Sequence, residues 1–309
     1  MTRRAVLPLL LIGFACRDAS PVPVTRDFDG AQALRYVETQ VAFGPRVPGT
    51  EGHRRMSAWL DSLLRTRTDS VITQRWKHAT SRGDTVDMAN IVARFNPAAT
   101  ERILFLAHWD TRPISDGPGA TAEQRSTPVP GANDGGSGVA VLLGVADRLK
   151  AVAPTIGVDL LFVDGEDFGT FDADRKDVLI GSRYYARNQA PGPAPLFAVL
   201  FDMVGDRDLR IQQEYNSLTG APEVVERVWN AARELGYQQY FVAHESTNLV
   251  DDHVELQAVG IRAIDVVDFD YGPNNSFWHT PDDTVDKVSG ESLAIVGNVA
   301  MRVIANASR

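Results

Sequence analysis

The sequence has a single cysteine, Cys16, among its 309 residues, so internal disulfides cannot hold the fold together. It also lacks any run rich in lysine and arginine, and its formal net charge is −9 at pH 7. Proteins that bind the phosphate backbone present a basic surface, so nucleic acid is not an expected partner. Hydrophobic residues make up 44% of the chain, which is enough for one large core.

Long apolar runs are also missing, whereas a membrane-spanning helix needs about 20 apolar residues. The run Ala5–Phe14 is only about ten residues long and follows two arginines. This arrangement is typical of an export signal, so we predict a signal peptide over residues 1–15. Cys16 follows a small residue, where bacterial lipoproteins carry their lipidated cysteine. We therefore predict an exported bacterial protein, periplasmic or anchored to the membrane only through lipid on Cys16, with residues 16–27 as a tether.

Short apolar runs alternate with amphipathic stretches from about Phe28 onward, without an internal repeat. The runs predicted as strands are Ala89–Phe95, Arg102–Ala107, Val158–Val163, Leu196–Phe201 and Ile261–Val267. The clearest predicted helices are His53–Leu64, Val139–Lys150, Pro222–Leu235 and Gly290–Ala305. Strands that alternate with helices predict an α/β fold, a three-layer α/β/α sandwich around a mostly parallel, mixed central sheet.

Side chains able to bind metal follow the ends of the predicted strands. In chain order they are His108 and Asp110, then Glu166 and Asp167, then Asp202, joined by Asp134 from a glycine-rich turn and by His279 near the C terminus. In open α/β sheets, ligands bind outside the carboxyl ends of the strands. We therefore expect these groups to converge on one edge of the sheet.

Such a cluster of acids needs a positive charge, because carboxylates held close together repel each other. Imidazole and carboxylate ligands without thiolate suit catalytic zinc, for which three protein ligands leave one position open. Each of these residues alone could be an ordinary packing residue or turn cap. Their joint occurrence at strand ends favours a metal site. By contrast, His53 and His78 have polar sequence neighbours and are predicted to be exposed.

Seven segments in this order resemble the zinc aminopeptidase superfamily, and the resemblance covers the chain from about Asp29 onward. They read AHWDTRP, GANDGGSGVAVLL, LLFVDGEDFG, IGSRYYA, LFDMVG, DDHVELQAVGI and FWHTPDDTVDKV. Within that superfamily the chain is most similar to glutaminyl-peptide cyclotransferases of the animal type, including their bacterial relatives. The narrower likeness rests on the Gly-Ser-Arg that starts at Gly181, the acid Asp251 before Asp252-His253, and Trp278 before His279.

The resemblance implies that residues 28–309 form a single zinc-dependent catalytic domain. Zinc would be held by Asp134, Asp167 and His279, although many relatives have glutamate at the position of Asp167. Glu166 would transfer the proton while an N-terminal glutamine is converted to pyroglutamate with release of ammonia. Asp251 and Asp202 would form a hydrogen-bonded acid network with Glu166. Trp278, with Phe277 beside it, would border the substrate, which would be a peptide or protein with a free N terminus, preferably glutamine.

The same residues leave an alternative open. In a two-zinc aminopeptidase, His108 and Asp202 complete a second metal site, Asp134 bridges the ions, and Glu166 activates water. The sequence keeps all of these residues, so the number of zinc ions stays open. A non-catalytic binding domain is a third hypothesis, but such domains usually lose the acid or a ligand, and none is missing here.

Overall fold

A six-stranded mixed sheet forms the centre of the computed structural model, which describes residues 25–171 and 174–308. The strands in chain order are β1 (Ser70–Ala79), β2 (Thr85–Phe95), β3 (Arg102–His108), β4 (Gly157–Val163), β5 (Ala198–Asp202), β6 (Ile211–Gln213), β7 (Phe241–Glu245) and β8 (Ala263–Val267). The order across the central sheet is β1-β2-β4-β3-β5-β8, and β6 pairs with β7 separately. Strands β4, β3, β5 and β8 run parallel, whereas β1 and β2 are antiparallel to their neighbours.

Helices cover both faces of this sheet. They are α1 (Gly30–Val41), α2 (Glu51–Arg65), α3 (Ser137–Ala151), α4 (Ile180–Arg187), α5 (Tyr215–Gly220), α6 (Pro222–Glu234), α7 (Asp252–Gln257) and α8 (Gly290–Ala307). Helices α1, α3, α6 and α8 pack together on one face, while α4 and α7 pack on the other. The predicted three-layer α/β/α sandwich is therefore confirmed.

The sequences of the two central strands, β3 and β4, are continuous apolar runs because of where these strands lie in the sheet. Every residue of β3 and β4 is buried, because each strand lies between two helical layers. Successive side chains point to opposite faces, so Phe105 joins the larger core cluster while Leu104 and Leu106 join the smaller one.

Several helices begin where a side chain satisfies the free backbone N–H groups of the first turn. Asp29 accepts a hydrogen bond from the Gln32 amide at 2.8 Å, and Thr50 accepts one from the His53 amide at 3.3 Å. Ser289 accepts hydrogen bonds from two amides at the start of α8. Such caps stabilise a helix by about 1 kcal/mol each.

The start of α3 depends instead on glycine. Gly135 has φ of +75°, which L-residues with a side chain rarely adopt, and it turns the chain directly after Asp134. At Gly138 a Cβ atom would lie 2.0 Å from the carbonyl oxygen of Phe201, so only glycine lets α3 approach β5 this closely. These two glycines place Asp134 over the end of β5.

The predicted strands and helices are confirmed, with ends that differ by a few residues. The segment Leu196–Phe201, for example, becomes β5, which begins at Ala198 and includes Asp202. No helix among the described residues is long and apolar enough to cross a membrane. The predicted signal peptide, Cys16 and most of the predicted tether lie outside the described residues.

The expectation that His53 is exposed is wrong. His53 is 4% exposed, its Nε2 lies 2.9 Å from Asp164 Oδ1, and its ring stacks on Trp109 at 4.5 Å. Because α2 packs against the sheet, His53 in its first turn reaches the end of β4. His78 is half-buried rather than exposed, with Nε2 2.7 Å from Asp177 Oδ1.

Candidate active site

The carboxyl ends of the parallel strands carry the candidate site. Strand β3 lies between β4 and β5, and the chain visits β4 before it crosses to β5 on the other side. Such a change of direction opens a crevice above the strand ends. His108 ends β3, Asp202 ends β5, and Glu166 and Asp167 follow β4. The predicted convergence of these groups is therefore present in the structure.

Asp134, Asp167 and His279 form one group that can hold a metal ion. Each offers one ligand atom, and these atoms all lie within 4.8 Å of one another. His279 Nε2 is 3.2 Å from Asp167 Oδ2 and 3.4 Å from Asp134 Oδ2. All three side chains are buried, and Asp167 Oδ2 accepts no hydrogen bond from any described residue. A buried carboxylate oxygen without a donor, beside an imidazole and a second carboxylate, fits a zinc ion.

A second group consists of His108, Asp134 and Asp202. His108 Nε2 is 3.1 Å from Asp202 Oδ1 and 3.2 Å from Asp134 Oδ1. Asp134 therefore directs one oxygen toward each group. This is the geometry that a carboxylate bridging two metal ions would need, so the donor sets of both expected sites are present.

The charges of these residues act strongly on one another. Burial lowers the pKa of the His279 imidazole, but Asp167 and Asp116 outweigh it and raise that pKa to about 9. Burial raises the pKa of Asp167, yet His279 and Arg112 together bring it well below its usual range. Burial and the charge of Asp167 raise the pKa of Asp134. The carboxylate of Asp167 is thus held ionised, as a metal ligand must be.

A hydrogen bond from its backbone amide to Asp110 holds Glu166 beside the candidate zinc ligands. Asp110 accepts hydrogen bonds from the amides of Glu166 and Asp167 at 3.0 and 3.1 Å, which fixes the turn after β4. The Glu166 side chain is buried against the cavity, with Oε2 3.8 Å from His108 Nδ1. Burial, followed by the charge of Asp167, raises the pKa of Glu166 well above the usual value. A carboxylate with a raised pKa is a stronger base than a solvent-exposed one.

A group of buried acids lies behind Glu166. Burial and the charge of Asp202 raise the pKa of Asp251 well above its usual range. Burial and the charge of Asp251 raise the pKa of Asp265, an acid within β8, well above its usual range. Asp251 acts on Glu166 through charge, Asp202 acts on Asp134 in the same way, and both acids line the cavity together with Glu166.

The cavity above the candidate ligands has a volume of about 280 Å³. Its polar floor is Asp134, Glu166, Asp167, Asp202, Asp251 and His279, and its largely apolar walls are Phe171, Asn248, Leu249, Val250, Val267, Phe269 and Trp278. The Trp278 ring stacks on His279 at 3.8 Å and meets Phe269 edge-on at 5.1 Å. The volume is close to the lower end of small-molecule pockets, roughly 300–1,000 Å³.

Phe277 does not line this cavity. Its ring instead packs against Tyr271 with a centroid separation of 5.5 Å, below Lys287. Besides Trp278, the aromatic side chains that line the cavity are Phe171 and Phe269, and Phe269 follows the end of β8.

Two buried residues that sequence reasoning missed support the turn that carries the candidate ligand Asp134. Arg46 donates hydrogen bonds to the carbonyl oxygens of Trp109, Pro130 and Gly131 at 3.2, 2.7 and 2.7 Å. Asp283 accepts hydrogen bonds from the amides of Asn133 and Asp134 at 2.8 and 3.2 Å. The signal for Asp283 was present, because it lies four residues after His279 in the segment FWHTPDDTVDKV, whereas Arg46 is far away in sequence and gave none.

A model of Peptidase family M28 matches residues 90–304. Two solved structures are similar to this chain along most of its length. A Zn-dependent exopeptidase from Parabacteroides distasonis is 36% identical with a TM-score of 0.86, over 92% of this chain and 100% of that chain. Tannerella forsythia glutaminyl cyclase is 37% identical with a TM-score of 0.85, over 90% of this chain and 99% of that chain.

The curated glutaminyl-peptide cyclotransferase-like protein of Mus musculus is 26% identical over 268 residues, which cover 77% of this chain. The match spans 66% of that relative's length. Together with the resemblance of the seven segments, these matches identify the chain as a member of peptidase family M28, a zinc aminopeptidase-like family with glutaminyl cyclases among the homologues of this chain.

Proposed function

We propose that this protein is a zinc-dependent glutaminyl cyclase that converts the N-terminal glutamine of peptides to pyroglutamate and releases ammonia. The observation that carries the proposal is the position of Glu166, a buried acid with a raised pKa, beside the candidate zinc ligands in a small aromatic-walled cavity. The similarity to a solved glutaminyl cyclase supports the same reaction.

The proposed reaction closes a ring within the substrate. Zinc held by Asp134, Asp167 and His279 would polarise the carbonyl of the γ-amide. The α-amino nitrogen attacks the amide carbon while Glu166 accepts a proton from that nitrogen. The bond between the carbon and the amide nitrogen then breaks, and Glu166 returns the proton so that ammonia leaves. No water is consumed.

The walls of the cavity favour such an intramolecular attack. Trp278, Phe269 and Leu249 surround the space above Glu166 with apolar surface, which limits access of water to the acid. The folded glutamine side chain would pack against Trp278, whose ring is fixed on His279. Holding the amine close to its own amide removes much of the entropic cost of the reaction.

His108 belongs to the second donor group, between Asp134 and Asp202. Burial disfavours its charged form, but Asp202, Asp110 and Asp134 outweigh burial and raise its pKa well above the usual value. The proposed cyclase takes one ion, held by Asp134, Asp167 and His279, and the metal content of His108→Ala tests whether the second donor group is also used.

A two-zinc aminopeptidase is the second candidate. The observation in its favour is that Asp134 directs one oxygen to each of two intact donor groups. The matched family is a peptidase family, and one similar structure is a Zn-dependent exopeptidase. Either enzyme would act on peptides or proteins with a free N terminus. Export and lipidation of Cys16 stay predictions.

Peptide products separate the two candidates. Incubation with Gln-Ala and Leu-Ala, followed by mass spectrometry, is expected to show loss of ammonia from Gln-Ala and an unchanged Leu-Ala. Asp251→Asn should reduce ammonia release, since the proposed acid group beside Glu166 would be altered. The surface change Asp286→Asn, outside the cavity, serves as the control. Free leucine without a pyroglutamyl product would overturn the cyclase and favour the aminopeptidase.

A further inference from the structure

Arg112, which lies in the long segment between β3 and α3, forms a buried hub next to the candidate zinc ligands. Its side chain is 5% exposed. Nε and Nη2 donate to the two carboxylate oxygens of Asp116 at 2.7 and 2.6 Å, a two-pronged geometry that only arginine can provide. Nη1 points the other way, toward the segment that follows β4.

On that side, Arg112 holds Asp167. Nη1 donates to Asp167 Oδ1 at 3.1 Å and to the carbonyl oxygens of Asp167 and Gly169 at 3.3 and 2.9 Å. The other carboxylate oxygen, Oδ2, is the one that faces His279 Nε2 at 3.2 Å. Arg112 therefore hydrogen-bonds Oδ1 of Asp167 and leaves Oδ2 facing the space between Asp134, Asp167 and His279, where zinc would bind.

On the opposite side, Arg112 acts on His279 through Asp116. Asp116 Oδ1 lies 3.3 Å from His279 Nδ1, so Nδ1 can donate its proton there while Nε2 faces Asp134 and Asp167. The adjacent Gly117 ties this segment to the histidine, because its amide donates to the carbonyl oxygen of His279 at 3.1 Å. A Cβ atom on Gly117 would lie 1.9 Å from the carbonyl oxygen of Trp278, so only glycine at this position lets the two segments come this close.

We propose that Arg112, together with Asp116, is a positioning residue that sets two of the three zinc ligands at once, Asp167 directly and His279 through Asp116. The inference rests on the zinc site of the proposed function. Asp167 is thereby restricted to binding through Oδ2 alone, and His279 is restricted to the tautomer whose Nε2 is free. Partners of this kind typically change metal affinity by about 10- to 100-fold when they are removed.

The test measures zinc affinity by competition with a chelator in the full chain, a readout that does not depend on activity. We expect Arg112→Met to raise the zinc dissociation constant by about 10- to 100-fold, and Asp116→Asn to raise it as well. Arg112→Lys keeps the charge but loses the fork, so it should restore only part of the affinity. The double variant Arg112→Met, Asp116→Asn should weaken binding by less than the product of the single effects, because both changes break one chain of contacts.

Arg94→Met is the matched control. Arg94 is also a buried arginine, paired with Asp159 at 3.1 Å, but it lies at the other end of β4 from the ligands. Its loss should lower the free energy of unfolding and leave zinc affinity unchanged. The visible absorption spectrum of the cobalt-loaded protein, which reports ligand geometry, should change in the Arg112 variant and stay constant in the Arg94 variant.

Unchanged zinc affinity in both Arg112→Met and Asp116→Asn would overturn the inference, as would an equal loss in Arg94→Met. If Arg112→Met does not fold, Asp116→Asn and Arg112→Lys decide the question. Failure of the proposed function gives a different result. If the wild-type protein binds zinc but does not cyclise glutamine, and the variants bind zinc more weakly, the role of Arg112 stands and the cyclase does not. If the wild-type protein cyclises glutamine and the variants bind zinc as tightly as it does, the cyclase stands and the role of Arg112 does not.

Discussion

Glu166→Gln is expected to lower the turnover of a glutaminyl peptide by about two to four orders of magnitude. Glutamine keeps the shape of the side chain but cannot accept a proton from the attacking amine. The zinc content should barely change, because Glu166 is not one of the proposed ligands. The fold should also persist, since the turn at Glu166 is held by hydrogen bonds from backbone amides to Asp110.

Turnover is measured by ammonia release, alongside the unfolding midpoint and the zinc content of each protein. Glu255→Gln is a suitable control, because Glu255 is a partly buried acid that pairs with Arg183 at 3.0 Å and does not line the cavity. This control should retain most of its turnover. Near-normal turnover in Glu166→Gln would require a different base.

Removal of zinc is expected to abolish turnover, and added zinc should restore it. Without the ion, the buried carboxylates of Asp134 and Asp167 lie close together with only protein cations nearby, and the γ-amide carbonyl is not polarised. Protein purified without added metal should contain one zinc per chain if the cyclase proposal is right. Elemental analysis before and after treatment with chelator measures both quantities.

Two histidine variants then locate the ion. His279→Ala should lose zinc, because it removes a proposed ligand, whereas His108→Ala should keep one zinc per chain. Two zinc ions in wild type, with one lost in His108→Ala, would instead support the two-zinc aminopeptidase. Full activity in metal-free protein would contradict both candidates.

The fold was largely predictable because the central strands are buried on both faces. In β3 and β4 this burial gives uninterrupted apolar runs, which are easily read from the sequence. Strand β1 was missed because it lies at the edge of the sheet, paired with β2, and none of its residues is fully buried, so it gives no continuous apolar run. Helix α1 was also missed, although its buried residues Ala33, Tyr36, Val37 and Gln40 have helical spacing.

The positions of the candidate site residues were predictable for a topological reason. Parallel strands end at one edge, so residues that follow different strands, such as His108 and Asp202, meet there even though they are far apart in sequence. The roles of these residues as metal ligands or proton carriers are proposals, because their closeness at the edge of the sheet does not by itself show what each one does. Phe277 was expected to border the substrate but packs on Tyr271, since the chain turns before Trp278.

The supporting residues could not be predicted in the same way. Arg112 lies in a recognisable segment, but its contacts with Asp167 and Gly169 depend on how a long irregular segment folds back over β4. Asp265 lies within a strand, where a single acid gives no periodic signal. Such residues act through tertiary contacts that neither spacing nor strand ends encode.

In the proposed reaction the substrate's own amine, and not water, attacks the carbon of the γ-amide. Oxygen-18-labelled water tests this directly: Gln-Ala is incubated with the enzyme in labelled water, and the products are analysed by mass spectrometry, with Glu166→Gln as the control for spontaneous cyclisation. We expect pyroglutamyl-alanine and ammonia, with no labelled oxygen in the peptide product. Release of free glutamine that carries labelled oxygen in its carboxylate would contradict it, because that product requires attack by water on the peptide bond.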